Sequence, residues 1–172
     1  MDFLELAKNR YSVRKFSAQP VEETKIDLIL DAAKLAPTAC NFQPHRLLVI
    51  KSKDALDKLK NCTPYHFDAP LAILICYDNQ SSWKRNYDNA DSGAVDASIV
   101  ATQMMLEIAN LGLGTTWVGH FDPVKMVETF NLPKNLVPVV LFPIGYPAET
   151  SVPHANHEKR FEKDKTVFYN TF

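Results

Sequence analysis

Apolar and polar positions follow a helical period over the middle of the chain and a strand-like pattern on either side of it. From Ala94 to Leu111, 12 of 18 residues are apolar, and Asp96, Gln103, Glu107 and Asn110 fall on one narrow stripe of a helical wheel. A surface helix carries polar residues over a much broader arc, so the pattern predicts a buried central helix. Small residues at Ala94, Ala97, Ser98 and Ala101 would let another helix backbone come close. Gly112 and Gly114 supply the permissive backbone that stops it. Thr115 to Val118 then reads as a short strand from its β-branched and aromatic content. Such a helix is the centre of a domain, or of a dimer.

The flanking pattern is more ordinary. Asp2 can cap a first helix ending near Asn9, with Phe3, Leu6 and Ala7 on one face. Pro20 opens a second helix, Glu22 and Glu23 suit its positive end, and Ile26, Ile29, Leu30 and Ala33 form its core stripe before Pro37. Arg46 to Ile50 predicts a strand, Ser52 caps a short helix holding Leu56 and Leu59, and Leu71 to Tyr77 is a continuous apolar strand covered on both faces. Asp122 and Pro123 start a helix running to Phe130. Leu136 to Ile144 is a strand in which Pro138 and Pro143 imply an edge position or limited pairing. Strands and helices mix without strict βαβ alternation, so the expected fold class is α+β, a single domain over residues 1–172.

Composition narrows the function. The chain is 46% hydrophobic and 23% charged with a net charge of -1, so no global field recruits nucleic acid or a membrane. The first residues lack the apolar run of a signal peptide, and the expected location is cytoplasmic. Three cysteines, Cys40, Cys62 and Cys76, and five scattered histidines show no zinc spacing, so no metal is expected. Nucleotide motifs of the Rossmann and P-loop kinds are missing, as are the G-x-S-x-G elbow and H-E-x-x-H.

What chemistry remains is concentrated in a few places. Arg10-Tyr11-Ser12-Val13-Arg14-Lys15-Phe16 packs three cations and a serine hydroxyl into seven residues, which suits either an anion site or a solvated basic loop. The loop Pro37 to His45 carries two amides, Asn41 and Gln43, able to read a heterocycle edge or to satisfy their own backbone. Trp83 and Tyr87 stand in the otherwise polar stretch Asn79 to Ala90, candidates for a lid or a stacking surface for a flat substrate. From Ala148 to Phe172 helical periodicity is weak, yet Phe161, Phe168, Tyr169 and Phe172 are too apolar to leave in water, and a second subunit would cover them.

Four motifs in this order, RYSVRKF, APTACNFQPH, DASIVATQMMLEIANLGLGTTWVG and IGYP before a basic tail, make the whole chain resemble the FMN-dependent nitroreductase family in its shorter form. The resemblance implies a three-layer fold, a mainly antiparallel central sheet with helices on both faces, a long buried central helix and a swapped C-terminal arm. It implies a homodimer with two FMN at the interface. In that scheme Arg10, Tyr11, Ser12 and Arg14 hold the cofactor's phosphate, ribityl chain and pyrimidine edge. Pro37, Thr38, Ala39 and Asn41 approach from the other subunit. Trp117, Val118, Gly119 and His120 lie beside the isoalloxazine, and Lys159 and Arg160 complete the phosphate clamp. No catalytic side chain is implied, because the cofactor carries the chemistry. The expected activity is NAD(P)H-dependent reduction of nitroaromatics, quinones or similar flat acceptors, with NADH or NADPH and the acceptor alternating at one open face. A related flavin enzyme such as a reductive dehalogenase, and a protein that stores or delivers flavin without turnover, are the alternatives.

Overall fold

The sheet is organised by its most apolar strand. The computed structural model describes residues 2–172 and has four strands, β1 His45–Ile50, β2 Leu71–Asp78, β3 Gly114–Thr115 and β4 Leu136–Gly145, in the order β1-β2-β4-β3 with every neighbouring pair antiparallel. Side chains alternate across a strand. In β2, Leu71, Ile73 and Ile75 therefore enter one core and Ala72, Leu74 and Cys76 the other. Helices α2 (Glu23–Lys34) and α4 (Gly93–Asn110) close the first core, while α3 (Lys53–Leu59) and α5 (Pro123–Phe130) close the second. The three layers and mixed architecture are those expected.

Helix ends follow local chemistry. Asp2 accepts from the Leu4 N–H at the start of α1 (Phe3–Asn9), Ser52 accepts from Ala55 N–H ahead of α3, and Asp122 accepts from both Val124 and Lys125 N–H ahead of α5. Helix α2 starts later than its proline implied. The Tyr146 hydroxyl donates to the Glu22 carboxylate at 2.8 and 2.9 Å, and Glu22 stays extended, so the helix begins at Glu23 and Pro20 lies outside it.

The two prolines of β4 act differently from an edge marker. β4 is an interior strand flanked by β2 and β3, and Pro138 falls where the β2 register shifts between Ile75 and Cys76. Pro143 has the same parity as Leu141, whose N–H and C=O both bond to Val118 at 2.9 and 3.1 Å, so its missing donor is on the β3 side. The expected strand Thr115 to Val118 is accordingly split into β3 and a lone bridge at Val118.

The central helix departs most from expectation. Its polar stripe turns inward at one end: Asp96 is 2% exposed and accepts from the Ala39 N–H and the Ser92 hydroxyl, both at 2.9 Å, while Gln103 donates to the Ala32 carbonyl at 2.9 Å. These bonds tie α2 and the Pro37 loop to α4. The face with Ala97, Val100, Ala101, Met104 and Ile108 is buried against the sheet, whereas the flank with Val95 60% and Ile99 38% exposed, on the other side of the polar stripe, is open in the single chain. Helix α1 has no fully buried residue and leaves Phe3 and Leu4 exposed, and with α4 it walls an apolar groove of about 890 Å³.

Candidate functional site

Residues 10–17 do not form a free loop. They run extended along the sheet edge: Val13 N–H donates to the Thr115 carbonyl at 3.0 Å, Ser17 N–H to the Tyr146 carbonyl at 2.9 Å, and Ala148 N–H to the Lys15 carbonyl at 3.0 Å. Val13 is 2% exposed and anchors the segment. With a period of two, Ser12 and Arg14 then share the side opposite Val13.

Beside this segment the C-terminal arm folds back in successive turns, with His157 N–H donating to the His154 carbonyl at 2.8 Å and Lys159 N–H to the Asn156 carbonyl at 3.2 Å. Arg10, Tyr11, Ser12 and Arg14 from the first segment and His154, Asn156, His157 and Arg160 from the arm enclose a cleft of about 640 Å³. The Tyr11 hydroxyl fastens the arm through Ser151, 3.3 Å from both its carbonyl and its hydroxyl oxygen. Lys159 is exposed and does not line the cleft.

The cleft is cationic without internal compensation. Arg46 and Arg85 elsewhere have carboxylate partners, whereas Arg10, Arg14 and Arg160 have none among the described residues. Arg160 is held by its own backbone, donating to the His157 and Lys159 carbonyls at 2.7 Å each, and Arg14 donates to the Ser12 carbonyl at 3.3 Å. Each guanidinium has five N–H donors, so most remain available. Burial, and then the neighbouring Arg160 charge, pull the pKa of Arg10 below its ordinary value. Both effects penalise the cation, and a bound anion offsets the repulsion from Arg160.

The other expected positions lie apart from this cleft within one chain. Ala39 is fixed by Asp96, and Cys40 and Asn41 sit in left-handed backbone (φ 50° and 56°) on an exposed turn. Thr38 accepts from Gln43 N–H at 3.0 Å, and Gln43 donates to the Asn41 carbonyl at 3.3 Å, so that amide serves the loop's own backbone. Pro37 is exposed beside the apolar groove. At the end of the loop, burial and Arg46 lower the pKa of His45 against an opposing effect of Asp96.

Trp117 to His120 is a rigid stretch. Val118 is locked to Leu141 as described, the Thr63 hydroxyl donates to the His120 carbonyl at 2.6 Å, and Trp117, 40% exposed, stands edge-on to Phe142 at 5.7 Å. Gly119 and the His120 side chain are exposed, the latter edge-on to Tyr65 at 5.3 Å. Trp83 is half-buried and Tyr87 is 97% exposed; neither lines the cationic cleft.

Three of the cleft's residues were missed in the sequence, Asn156 and the imidazoles of His154 and His157. The available signal was that His154, His157 and Arg160 recur every three residues, the span of the turn that closes from His157 N–H to the His154 carbonyl.

Gly114 keeps this geometry together. A Cβ there would sit 2.5 Å from Val13 Cγ2 and 2.7 Å from its Cβ, and a buried β-branched side chain has little freedom to yield. Gly114→Ala is expected to cost about 1–3 kcal/mol of unfolding free energy and to weaken anion binding, since Ser12 and Arg14 move with Val13. An unchanged denaturation midpoint would contradict this packing.

Comparison with known proteins gives a consistent answer. A profile of the nitroreductase family matches residues 7–63 and 60–146. A crystal structure of a nitroreductase family protein from Clostridium difficile 630 superposes with a TM-score of 0.94 at 41% identity, covering 100% of both chains. A protein of Methanothermobacter thermautotrophicus, provisionally named NADH dehydrogenase/NAD(P)H nitroreductase, is 35% identical over 156 residues, 87% of this chain and 79% of its own. An FMN-dependent nitroreductase from Clostridium difficile R20291 has a TM-score of 0.83 at 28% identity, covering 99% of this chain and 100% of that one.

Proposed function

The chain belongs to the nitroreductase family, and from that premise we propose that it is an FMN-dependent oxidoreductase passing electrons from NADH or NADPH to flat organic acceptors such as nitroaromatics or quinones. The observation that carries this reading is the carboxylate-free cleft in which Arg10, Arg14 and Arg160 converge. A phosphate monoester carries nearly two negative charges and accepts several charge-assisted hydrogen bonds, so the donor set fits the cofactor's phosphate. In this reading Arg10 and Arg160 hold the phosphate, Tyr11 and Ser12 the ribityl chain, and Arg14 the pyrimidine edge.

Bound FMN supplies the two-electron chemistry. The chain's own work is to bind and orient. Arg14 adds positive charge beside the edge that gains electron density, favouring the reduced form. Trp117 to His120, pinned to β4 and Thr63, give a fixed wall rather than a mobile loop. No residue is asked to act as a nucleophile. The nicotinamide and the acceptor take turns at the same face, and Trp83 and Tyr87 are assigned to the acceptor.

The site is completed by a second copy. The apolar groove along α4, the exposed loop Pro37 to Asn41 and the apolar arm from Ala148 all lack cover in one chain, and their joint covering in a homodimer brings that loop to the partner's flavin. Three free thiols accord with a cytoplasmic location. The test is anaerobic addition of NADH and then NADPH to the purified yellow protein. One of them is expected to bleach the flavin, and a quinone to restore the colour. Flavin that stays oxidised with both would identify a carrier instead.

A further inference from the structure

We propose that His157 is a proton-linked ligand in the cationic cleft: a phosphate dianion binds together with a proton taken up at the His157 imidazole, so that affinity rises as pH falls. This rests on the FMN reading and adds to it a residue and a regulation that the arginines alone do not provide.

The geometry singles out this imidazole. His157 Nε2 lies 3.2 Å from the Lys8 carbonyl oxygen, which can only accept, so Nε2 carries the hydrogen and in the neutral ring Nδ1 is left bare. Nδ1 has no partner among the described residues. A bare lone pair repels phosphate oxygens, whereas a protonated Nδ1 donates a charge-assisted hydrogen bond. His154 is unsuited to the same role. Its Nδ1 already accepts from Asn156 N–H at 3.1 Å, and a proton there would break the turn that carries the arm.

The charged and titratable groups lining the cleft with His157 are Arg10 and Arg14 from the first segment, Arg160 and His154 from the arm, and Tyr11, whose ring stands edge-on at 6.3 Å; Lys8, on the helix whose carbonyl His157 meets, and the adjacent Glu158 are exposed and do not line it. Among the described residues no carboxylate lines the cleft, so none of its lining groups would neutralise the imidazolium before a ligand arrives. The anion is then the group that the proton accompanies.

The test uses flavin fluorescence to measure binding of FMN and of riboflavin, which lacks the phosphate, to the full-length protein and to His157→Gln. Glutamine keeps an N–H for the Lys8 carbonyl and cannot take up the proton. The unmodified protein is expected to bind FMN roughly tenfold more tightly than the variant at about pH 5.5, and equally at about pH 8. Taking the ratio of the two proteins removes the phosphate's own titration. Riboflavin affinity should match in both proteins throughout. An FMN ratio that is the same at both pH values, or a riboflavin affinity that falls in parallel, overturns the proposal while leaving the flavin reading intact. Failure of the unmodified protein to bind FMN at either pH overturns both.

Discussion

Arg10→Ala is expected to weaken FMN binding ten- to hundredfold, roughly the value of a charge-assisted hydrogen bond to phosphate, while riboflavin is affected far less; Arg14→Ala, at the pyrimidine edge, is expected to weaken the binding of both alike. The sign of the accompanying stability change separates function from structure. Arg10 caps α1 only through its backbone N–H to the Leu6 carbonyl at 2.9 Å, and its side chain has no carboxylate partner among the described residues. Its guanidinium is instead partly desolvated and set against Arg160. Removing it therefore relieves repulsion, and the flavin-free Arg10→Ala protein should be as stable as the parent or more so, as expected of a residue kept for binding at a cost to the fold. Fluorescence titration and denaturation of the flavin-free protein read the two effects. Unchanged FMN affinity in both variants would remove the clamp, and a marked loss of stability would recast Arg10 as structural.

An acidic residue on the open side of α4 should have the second large effect. Val95 and Ile99 are exposed in the single chain, so Val95→Asp or Ile99→Asp leaves the fold of one subunit without a buried charge. Across a subunit interface the same carboxylate would be desolvated without a partner, which costs several kcal/mol. The expected product is a folded monomer that does not retain flavin, because the Pro37 loop and arm of the second copy are lost together. Light scattering and the flavin-to-protein absorbance ratio report the outcome. A variant that stays dimeric and yellow would show that this face is not the interface.

Much of the fold was legible because its signals are local. The caps at Asp2, Ser52 and Asp122, the run of β2 and the extent of α4 depend on a few neighbouring residues. The pairing of Val13 with Thr115 joins segments about a hundred positions apart, and nothing in RYSVRKF announces a strand partner. A helical wheel groups Asp96 with Gln103 but does not say what covers them. In the event the loop at Ala39 and helix α2 take the polar stripe, the sheet covers Ala97, Val100, Ala101, Met104 and Ile108, and only the flank carrying Val95 and Ile99 is left open. For the site, the density of arginine at residues 10–14 was visible at once, but the arrival of Arg160 depends on the path of the arm and could be expected only from the family resemblance. The histidines were overlooked because their residue type suggested metal spacing, while their use is set by the turns between His154 and Arg160.

The central claim is that two copies join along the open faces of α4 and so build flavin sites that one copy does not have. It is tested most directly by the mass of the native, flavin-loaded particle. The account predicts two chains carrying two FMN. A single chain that retains FMN, or a pair of chains that stays flavin-free after incubation with FMN, would contradict it.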